Sequence, residues 1–318
     1  MIARGGIDLG GTKIQTAVVD GSWKALGEAR RPTPTTGGPQ DVAEQMAEAM
    51  REAAQAAGVE PGKLAGVGVG SPGIVNARTG VVSKARNLPG WEDEFKLGAW
   101  LSESLGAPVR VGNDVQVATE AEFRLGAGRP YQSVVGVFWG TGVGGGLILD
   151  GKPWLGRGEA GEIGHIVVKE GGARCPCGRR GCLEAYAGRA AMEARARREH
   201  EDGRKTDLFK IMKKHGRDRL TSGIWERALE AEDSLATELI DRAVGALGTG
   251  IASVINLLDV EAVIIGGGIG TRLGEPYAEK IVEEMGKHLF VDDNPPPVKV
   301  AALGDLGGAI GAALQTTR

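Results

Sequence analysis

Two neighbouring stretches hold most of the metal-ligand chemistry of the chain. Glu159-Ala-Gly-Glu-Ile-Gly-His165 is followed by Cys175-Pro-Cys177-Gly-Arg-Arg-Gly-Cys182-Leu-Glu184, and all 3 cysteines of the sequence lie in the second. One imidazole and three thiolates, spaced His165-x9-Cys175-x-Cys177-x4-Cys182, supply the donors of a closed tetrahedral zinc site. Pro176, Gly178 and Gly181 bend the chain enough for the sulfurs to converge. A catalytic zinc keeps one position open, whereas four protein ligands leave none, so the expected ion is structural. Unrelated free thiols in a surface loop are the plainer alternative. Glu159, Glu162 and Glu184 can be ordinary solvated carboxylates, but the metal knot gives Glu162 and Glu184 fixed positions.

A second kind of chemistry lies in the glycine clusters. Asp8-Leu-Gly-Gly-Thr-Lys13 joins two apolar runs, and a glycine turn between strands offers backbone N–H groups in a concave loop that suits a phosphate. Thr12 adds a hydroxyl, Lys13 a cation, and Asp8 a ligand for water-bridged Mg2+. A hairpin with a polar tip is the simpler reading. Gly140-Thr-Gly-Val-Gly-Gly-Gly146 repeats the design of strand, glycine turn with threonine, and return strand. Two such loops can grip a polyphosphate from opposite sides. Gly266-Gly-Gly-Ile-Gly270 follows an apolar strand and precedes a helical region, a junction that accepts an adenosine. Gly68–Gly73 and Gly140–Gly145 both match G-x-G-x-x-G, yet a hairpin follows the first and a strand the second, so neither is a dinucleotide fingerprint. No Walker A loop occurs.

Asn113-Asp114 ends a strand and opens a helix. By position alone Asp114 is an N-cap; alternatively both side chains point into a cleft at the carboxyl end of the strand. Three glycine loops, a candidate Mg2+ ligand, a strand-end aspartate and a metal-held acidic pocket together indicate phosphoryl transfer to a hydroxyl, with Asp114 as the base. Carboxylates and amides suit a polyhydroxylated acceptor better than an apolar pocket does.

The elements that must position these residues alternate between strand and helix, which indicates an α/β fold. Strand patterns cover 2–31 in two or three pieces, 64–69, 108–111, 134–139, 147–149, 260–265 and 298–302. A hairpin is expected around Thr79-Gly80. Helical patterns cover 39–58, 97–105, 115–125, 189–204, 207–215, 223–232, 234–258, 275–289 and 304–314. The charged helices of 188–230 read as scaffold, with His200 and His215 at the surface, and Trp91 as packing. A chain of 318 residues with 42% apolar and 25% charged residues accommodates two domains. A net charge of −3 disfavours nucleic acid. No apolar run approaches the roughly 20 residues of a membrane helix, and the N-terminus has no signal-peptide core. With cysteines clustered as metal ligands, a cytoplasmic protein is expected.

These motifs carry a resemblance over nearly the whole chain to bacterial sugar kinases of the ROK family (repressors, open reading frames, kinases), and within it to ATP-dependent glucokinases. It rests on Asp8–Lys13, Gly70–Gly73, Asn87-Leu-Pro-Gly-Trp91, Asn113-Asp114, Gly140–Gly146, Ala160–His165, Cys175–Glu184 and Gly266–Gly268. The resemblance implies the actin-like ATPase fold, two α/β domains with ribonuclease-H-like cores around a cleft. Residues 1–112, completed by the C-terminal helix 304–318, would form the small domain, and 113–303 the large domain with the zinc motif. It implies that Asp114 takes a proton from the sugar 6-hydroxyl. Ser71, Pro72, Gly73, Asn87, Asn113, Glu162, His165 and Glu184 would contact the sugar. Asp8, Gly10, Gly11, Thr12, Lys13, Thr141 and Gly142 would hold the ATP phosphates and Mg2+, with Gly267 and Gly268 at the adenosine. His165 would bind zinc through one ring nitrogen and a sugar hydroxyl through the other. A homo-oligomer, dimer or tetramer, is also implied. Val115-Gln-Val117 departs from the small residues usual there and alters packing behind Asp114.

The alternatives are other acceptors (N-acetylmannosamine, N-acetylglucosamine, fructose), polyphosphate as donor, and a sugar-responsive repressor. A repressor of this family carries a helix-turn-helix ahead of the body, for which the residues before Asp8 leave no room. Thr12-Lys13 and Gly266–Gly268 favour a nucleotide over polyphosphate.

Overall fold

The computed structural model describes residues 2–317. The chain opens with β1 (Arg4–Leu9), β2 (Lys13–Val19), β3 (Ala25–Pro32), α1 (Pro39–Ala56) and β4 (Val67–Ser71). A small hairpin of β5 (Ile74–Asn76) and β6 (Val81–Ser83), then α2 (Leu97–Leu105), lead into β7 (Val109–Asn113) and, without a break, α3 (Asp114–Leu125). The same plan then repeats. β8 (Val134–Trp139), β9 (Val143–Leu149) and β10 (Lys152–Pro153) are followed by α4 (Glu184–Ala187), α5 (Arg189–Glu201), α6 (Leu208–Lys214), α7 (Ser222–Glu230) and α8 (Ser234–Leu258). β11 (Ala262–Gly266), α9 (Gly267–Gly286), β12 (Val298–Val300) and α10 (Gly307–Leu314) complete the chain.

The two five-stranded sheets have the orders β3-β2-β1-β4-β7 and β10-β9-β8-β11-β12. In each, a three-stranded antiparallel meander continues into two parallel strands. This duplication is the topology expected of the actin-like fold. Among the described residues no helix is long and apolar enough to cross a membrane.

Local sequence explains the element ends. Pro39 occupies the first turn of α1, Asp41 accepts the Gly38 N–H at 2.8 Å, and Gly58 turns left-handed at φ 69 just past the helix. The face Val42, Met46, Met50 and Ala53 is fully buried on the first sheet. At α8, Asp233 accepts the Ala236 N–H at 2.8 Å and caps the longest helix. Trp91 packs as expected: it is 1% exposed and donates to Val82 O at 3.3 Å.

Two helices lie unusually close to the sheets because glycine lines the strands beneath them. Cβ atoms on Gly6 and Gly68 would collide with the carbonyl oxygens of Ala309 and Ala312, so α10 rests its backbone on the first sheet. The Gly68–Gly73 cluster is therefore partly a packing surface. α3 packs closely on the second sheet through short side chains, with Thr119 against Gly136 and Gly146 and Val115 against Gly144. α3 also meets α10, where a Cβ on Gly311 would stand 2.7 Å from Val117 O. The buried carboxylate of Glu122 accepts the N–H groups of Ala127, Ala302 and Leu303 at 2.9–3.0 Å, fixing α3 to the segment before α10.

Two expectations are corrected. Gly140–Gly146 is not one loop: the turn closes with Gly140 N–H to Gly142 O at 3.0 Å, and β9 begins at Val143. Gly144–Gly146 belong to that strand, where α3 leaves no space for side chains at Gly144 and Gly146, and Gly161 and Ile163 leave none at Gly145. α9 begins at Gly267, not near Glu275, and breaks at Gly274 (φ 65) ahead of Pro276.

Gly68→Ala is expected to lower stability by about 3 kcal/mol, because backbone, not a flexible side chain, fills the space. Denaturant unfolding measures this, and a loss below about 1 kcal/mol would contradict the close docking of α10.

Candidate active site

The four expected metal donors converge. The ligand atoms of His165, Cys175, Cys177 and Cys182 all lie within 4.8 Å of one another. Cys175 Sγ is 3.8 Å from His165 Nδ1, and Cys177 Sγ is 3.7 Å from Cys182 Sγ. A tetrahedron with zinc–sulfur bonds of about 2.3 Å has sulfur–sulfur edges of about 3.8 Å, so the donor set fits that ion. Without a cation, burial pushes the Cys175 thiol up to about 12. Cys177, despite burial, is drawn down to about 6 by the backbone N–H and side chain of Arg179 and by the other two thiols. A dication holds all three as thiolates.

The cage also orients the carboxylates beside it. His165 ends a short 3-10 turn (Ile163–His165) that begins right after Glu162. With Nδ1 on the sulfur side, Nε2 faces outward, 3.9 Å from Glu162 Oε2. Burial, then Glu159 and Glu184, raise the Glu162 carboxyl above its ordinary range, with His165 acting against them. Glu184 Oε2 accepts the Val143 N–H at 3.0 Å, and Oε1 lies 3.8 Å from Cys175 Sγ. Glu184 therefore joins the cage to the start of β9.

Asp8 and Asp114 form the second centre. β1, β4 and β7 run parallel, with Asp8 beside Gly70 and Gly70 beside Gly112, so Asp8 near the end of β1 and Asp114 just past β7 come from either side of β4. A Cβ on Gly70 would stand 3.4 Å from Asp114 Cα. The N-cap position belongs to Asn113, whose Oδ1 accepts Val115 N–H and Gln116 N–H at 3.2 Å each. Asp114 is thus the first residue of the helix, and its carboxylate is not the cap that position alone suggests. Burial, and next the negative charge of Asp8, push Asp114 up to about 7 against the Val115 N–H, with Glu162 adding to the rise. Burial also raises Asp8, opposed by Lys13.

The remaining residues fall around these centres. The β1–β2 turn closes with Gly10 N–H to Lys13 O at 2.9 Å. Thr12 is exposed, and Lys13 Nζ lies 3.7 Å from Asp305. Asn87 packs against the same turn, its Nδ2 3.1 Å from where a Gly11 Cβ would be. Ser71 is fully buried with its hydroxyl donated to Pro72 O at 3.1 Å, so 71–73 offers a backbone shape more than a side chain. Gly267 backs onto Trp139, and a Cβ on Gly140 would approach Gly268 N at 3.9 Å, which puts the start of α9 beside the turn holding Thr141 and Gly142.

The geometry adds residues that sequence reasoning missed. Gly308 of α10 leaves room for the Asp8 carboxylate, which a Cβ there would meet at 2.6 Å. Gln116 donates to Ala160 O at 2.9 Å, tying α3 to the loop before Glu162. Within the departure at 115–117, Val115 and Val117 fill the space beside Gly144 and between Gly70 and Gly311. Arg189 reaches the Thr141 hydroxyl at 2.9 Å. None carries a local signal, because each acts through an element distant in sequence.

Comparison with known proteins finds similarity over nearly the whole chain. The profile described as "ROK family" matches residues 4–318. A glucokinase of Halalkalibacterium halodurans is 33% identical, covering 96% of this chain and 92% of its own. An N-acetylgalactosamine kinase of a Shewanella species is 32% identical, covering 97% and 95%. The crystal structure of a ROK family glucokinase from Streptomyces griseus with glucose and AMPPNP superposes with a TM-score of 0.85 at 30% identity, covering 98% of each chain.

The protein as purified is expected to contain about one zinc per chain by elemental analysis. Cys182→Ser should lose most of it and lower the melting temperature. A Cys175–Cys182 disulfide in metal-free protein would refute the cage.

Proposed function

The chain belongs to the ROK family, and from that premise we propose that it is an ATP-dependent sugar kinase transferring a phosphoryl group to the 6-hydroxyl of glucose. The observation that carries the reading is the half-buried aspartate pair on either side of Gly70, with Asp114 raised to about 7 beside Asp8. A general base works best when its pKa is close to the operating pH.

In this reading, residues 1–112 with 304–318 form one lobe and 113–303 the other, and the sugar and ATP meet between them. Asp114 accepts the proton of the attacking hydroxyl. Asn113 keeps its Nδ2 group for a sugar oxygen, since Oδ1 caps α3. His165 turns Nε2 to a hydroxyl, with Glu162 and Glu184 accepting from others, while 71–73 and Asn87 close the opposite side. The turns at Gly10–Lys13 and Thr141-Gly142 cradle the phosphates, and Gly267-Gly268 lie against the adenosine. Asp8 would hold Mg2+, which when bound neutralises charge on the transferred group. Zinc stays in the His165/Cys175/Cys177/Cys182 cage and only orients the residues attached to it. Likeness to glucokinases supports glucose as the acceptor. The near-equal likeness to an N-acetylgalactosamine kinase favours, as the second reading, an N-acyl amino sugar.

ADP release is expected to be fastest with glucose in a panel of hexoses and amino sugars. Strong turnover of an N-acyl sugar with none of glucose would exchange the two readings. Asp114→Asn should keep sugar binding and lower kcat at least about a hundredfold. Only ionised Asp114 can take the proton, so kcat/KM for the sugar should rise with pH, about tenfold per unit, and level off above about 7. A profile flat between about pH 5 and 8 would remove Asp114 as the base.

A further inference from the structure

The start of α5 is fastened to the turn between β8 and β9. Arg189 N–H donates to Gly140 O at 3.1 Å, and Ala190 N–H donates to Thr141 O at 3.0 Å. The Arg189 side chain, 13% exposed, returns to the same turn. Nη2 donates to Thr141 Oγ1 at 2.9 Å, and Nη1 donates to Leu220 O at 3.1 Å.

Two features of this guanidinium exceed what structural support requires. The first is its charge. Its only carboxylate neighbour among the described ion pairs is Glu193 at 4.0 Å. Glu193 is already bonded through Oε1 to Arg197 and through Oε2 to Leu220 N–H. Burial destabilises the Arg189 cation, Glu193 offsets part of that, and the like charge of Arg219 acts with burial. A largely buried cation whose one carboxylate neighbour is distant and already shared gains from a further anionic partner.

The second is its effect on Thr141. A hydroxyl has one hydrogen and two lone pairs. With a guanidinium N–H on a lone pair, the hydrogen must point away, so the exposed Thr141 hydroxyl is presented as a donor. That polarity suits an anionic oxygen and not another donor. Gly268 N lies close to the same turn, so an anion here would sit beside the junction proposed for the adenosine.

We propose that Arg189 is a positioning residue for the nucleotide phosphates: it fixes the Thr141 hydroxyl as a donor to a phosphate oxygen and supplies the positive charge behind it. This rests on the nucleotide reading above and adds to it a residue of the charged helical segment that looked like scaffold.

The test uses the full-length protein and calorimetric titration with Mg-ADP and, separately, adenosine. Wild type should bind ADP more tightly than adenosine; binding of neither would sink the nucleotide reading itself, before any variant is made. Arg189→Met should weaken ADP about tenfold or more and leave adenosine unchanged, with Arg189→Lys recovering part of the loss. In a Thr141→Val background, Arg189→Met should cost less ADP affinity than it does in wild type, because only the charge contribution is left to lose. Equal weakening of ADP and adenosine, unchanged binding of both, or full additivity of the two substitutions would each overturn the proposal.

Discussion

Asp114 stands where it does because a helix is able to lie directly on a sheet. α3 approaches β8 and β9 over Gly136, Gly144 and Gly146, and meets α10 over Gly311. A side chain at any of these positions would lift the helix and carry its first residue away from Asp8. The same economy brings α10 down on Gly6 and Gly68, with Gly308 leaving room for the Asp8 carboxylate. Two half-buried carboxyl groups are thereby held near each other, where ionising both is unfavourable. Burial and like charge raise Asp114 together. The unusual acidity is a result of backbone packing, set by residues that have no side chains.

The segment between Gly158 and Glu184 meets a different constraint. It contains only short turns and few large apolar side chains, so hydrophobic burial alone holds it weakly. The His165/Cys175/Cys177/Cys182 cage supplies the missing cross-link. From the cage, order passes outward by single hydrogen bonds. Glu184 reaches Val143 N–H at the start of β9, and Gln116 reaches Ala160 O from α3. The metal-held loop and the aspartate-bearing helix are thus registered against each other without sharing a hydrophobic core.

The phosphate side is organised by backbone in the same way. Each meander has a short hairpin turn, Gly10–Lys13 in the first sheet and Gly140–Gly142 in the second, as the duplicated topology requires. The turns are supported differently. The first is buttressed by Thr33, which donates to Gly10 O at 2.6 Å, and the second by the first residues of α5. The repeated sheet topology gives the two turns, and the elements packed around them make them unequal.

Much of this was legible in the residues themselves. Cysteine and histidine are scarce and chemically distinct, so their spacing announced the cage, and the glycine turns with Thr12 and Thr141 announced themselves between apolar runs. Strand and helix periodicity placed most elements and the α/β class. Long-range proximity was not legible. Glycine that opens a turn and glycine that admits a helix look alike in sequence, so Gly144–Gly146 read as loop. Arginine in a run of alternating charges reads as solvated, so Arg189 was invisible. The sequence by itself determined which groups exist and which local conformations they prefer, because those depend on neighbours along the chain. Tertiary structure alone decided that Asn113 and not Asp114 caps α3, that Asp8 faces Asp114, and that His165 turns Nε2 outward. Each of these depends on distances between elements far apart in the chain, and such distances are set only when the helices settle on the sheets.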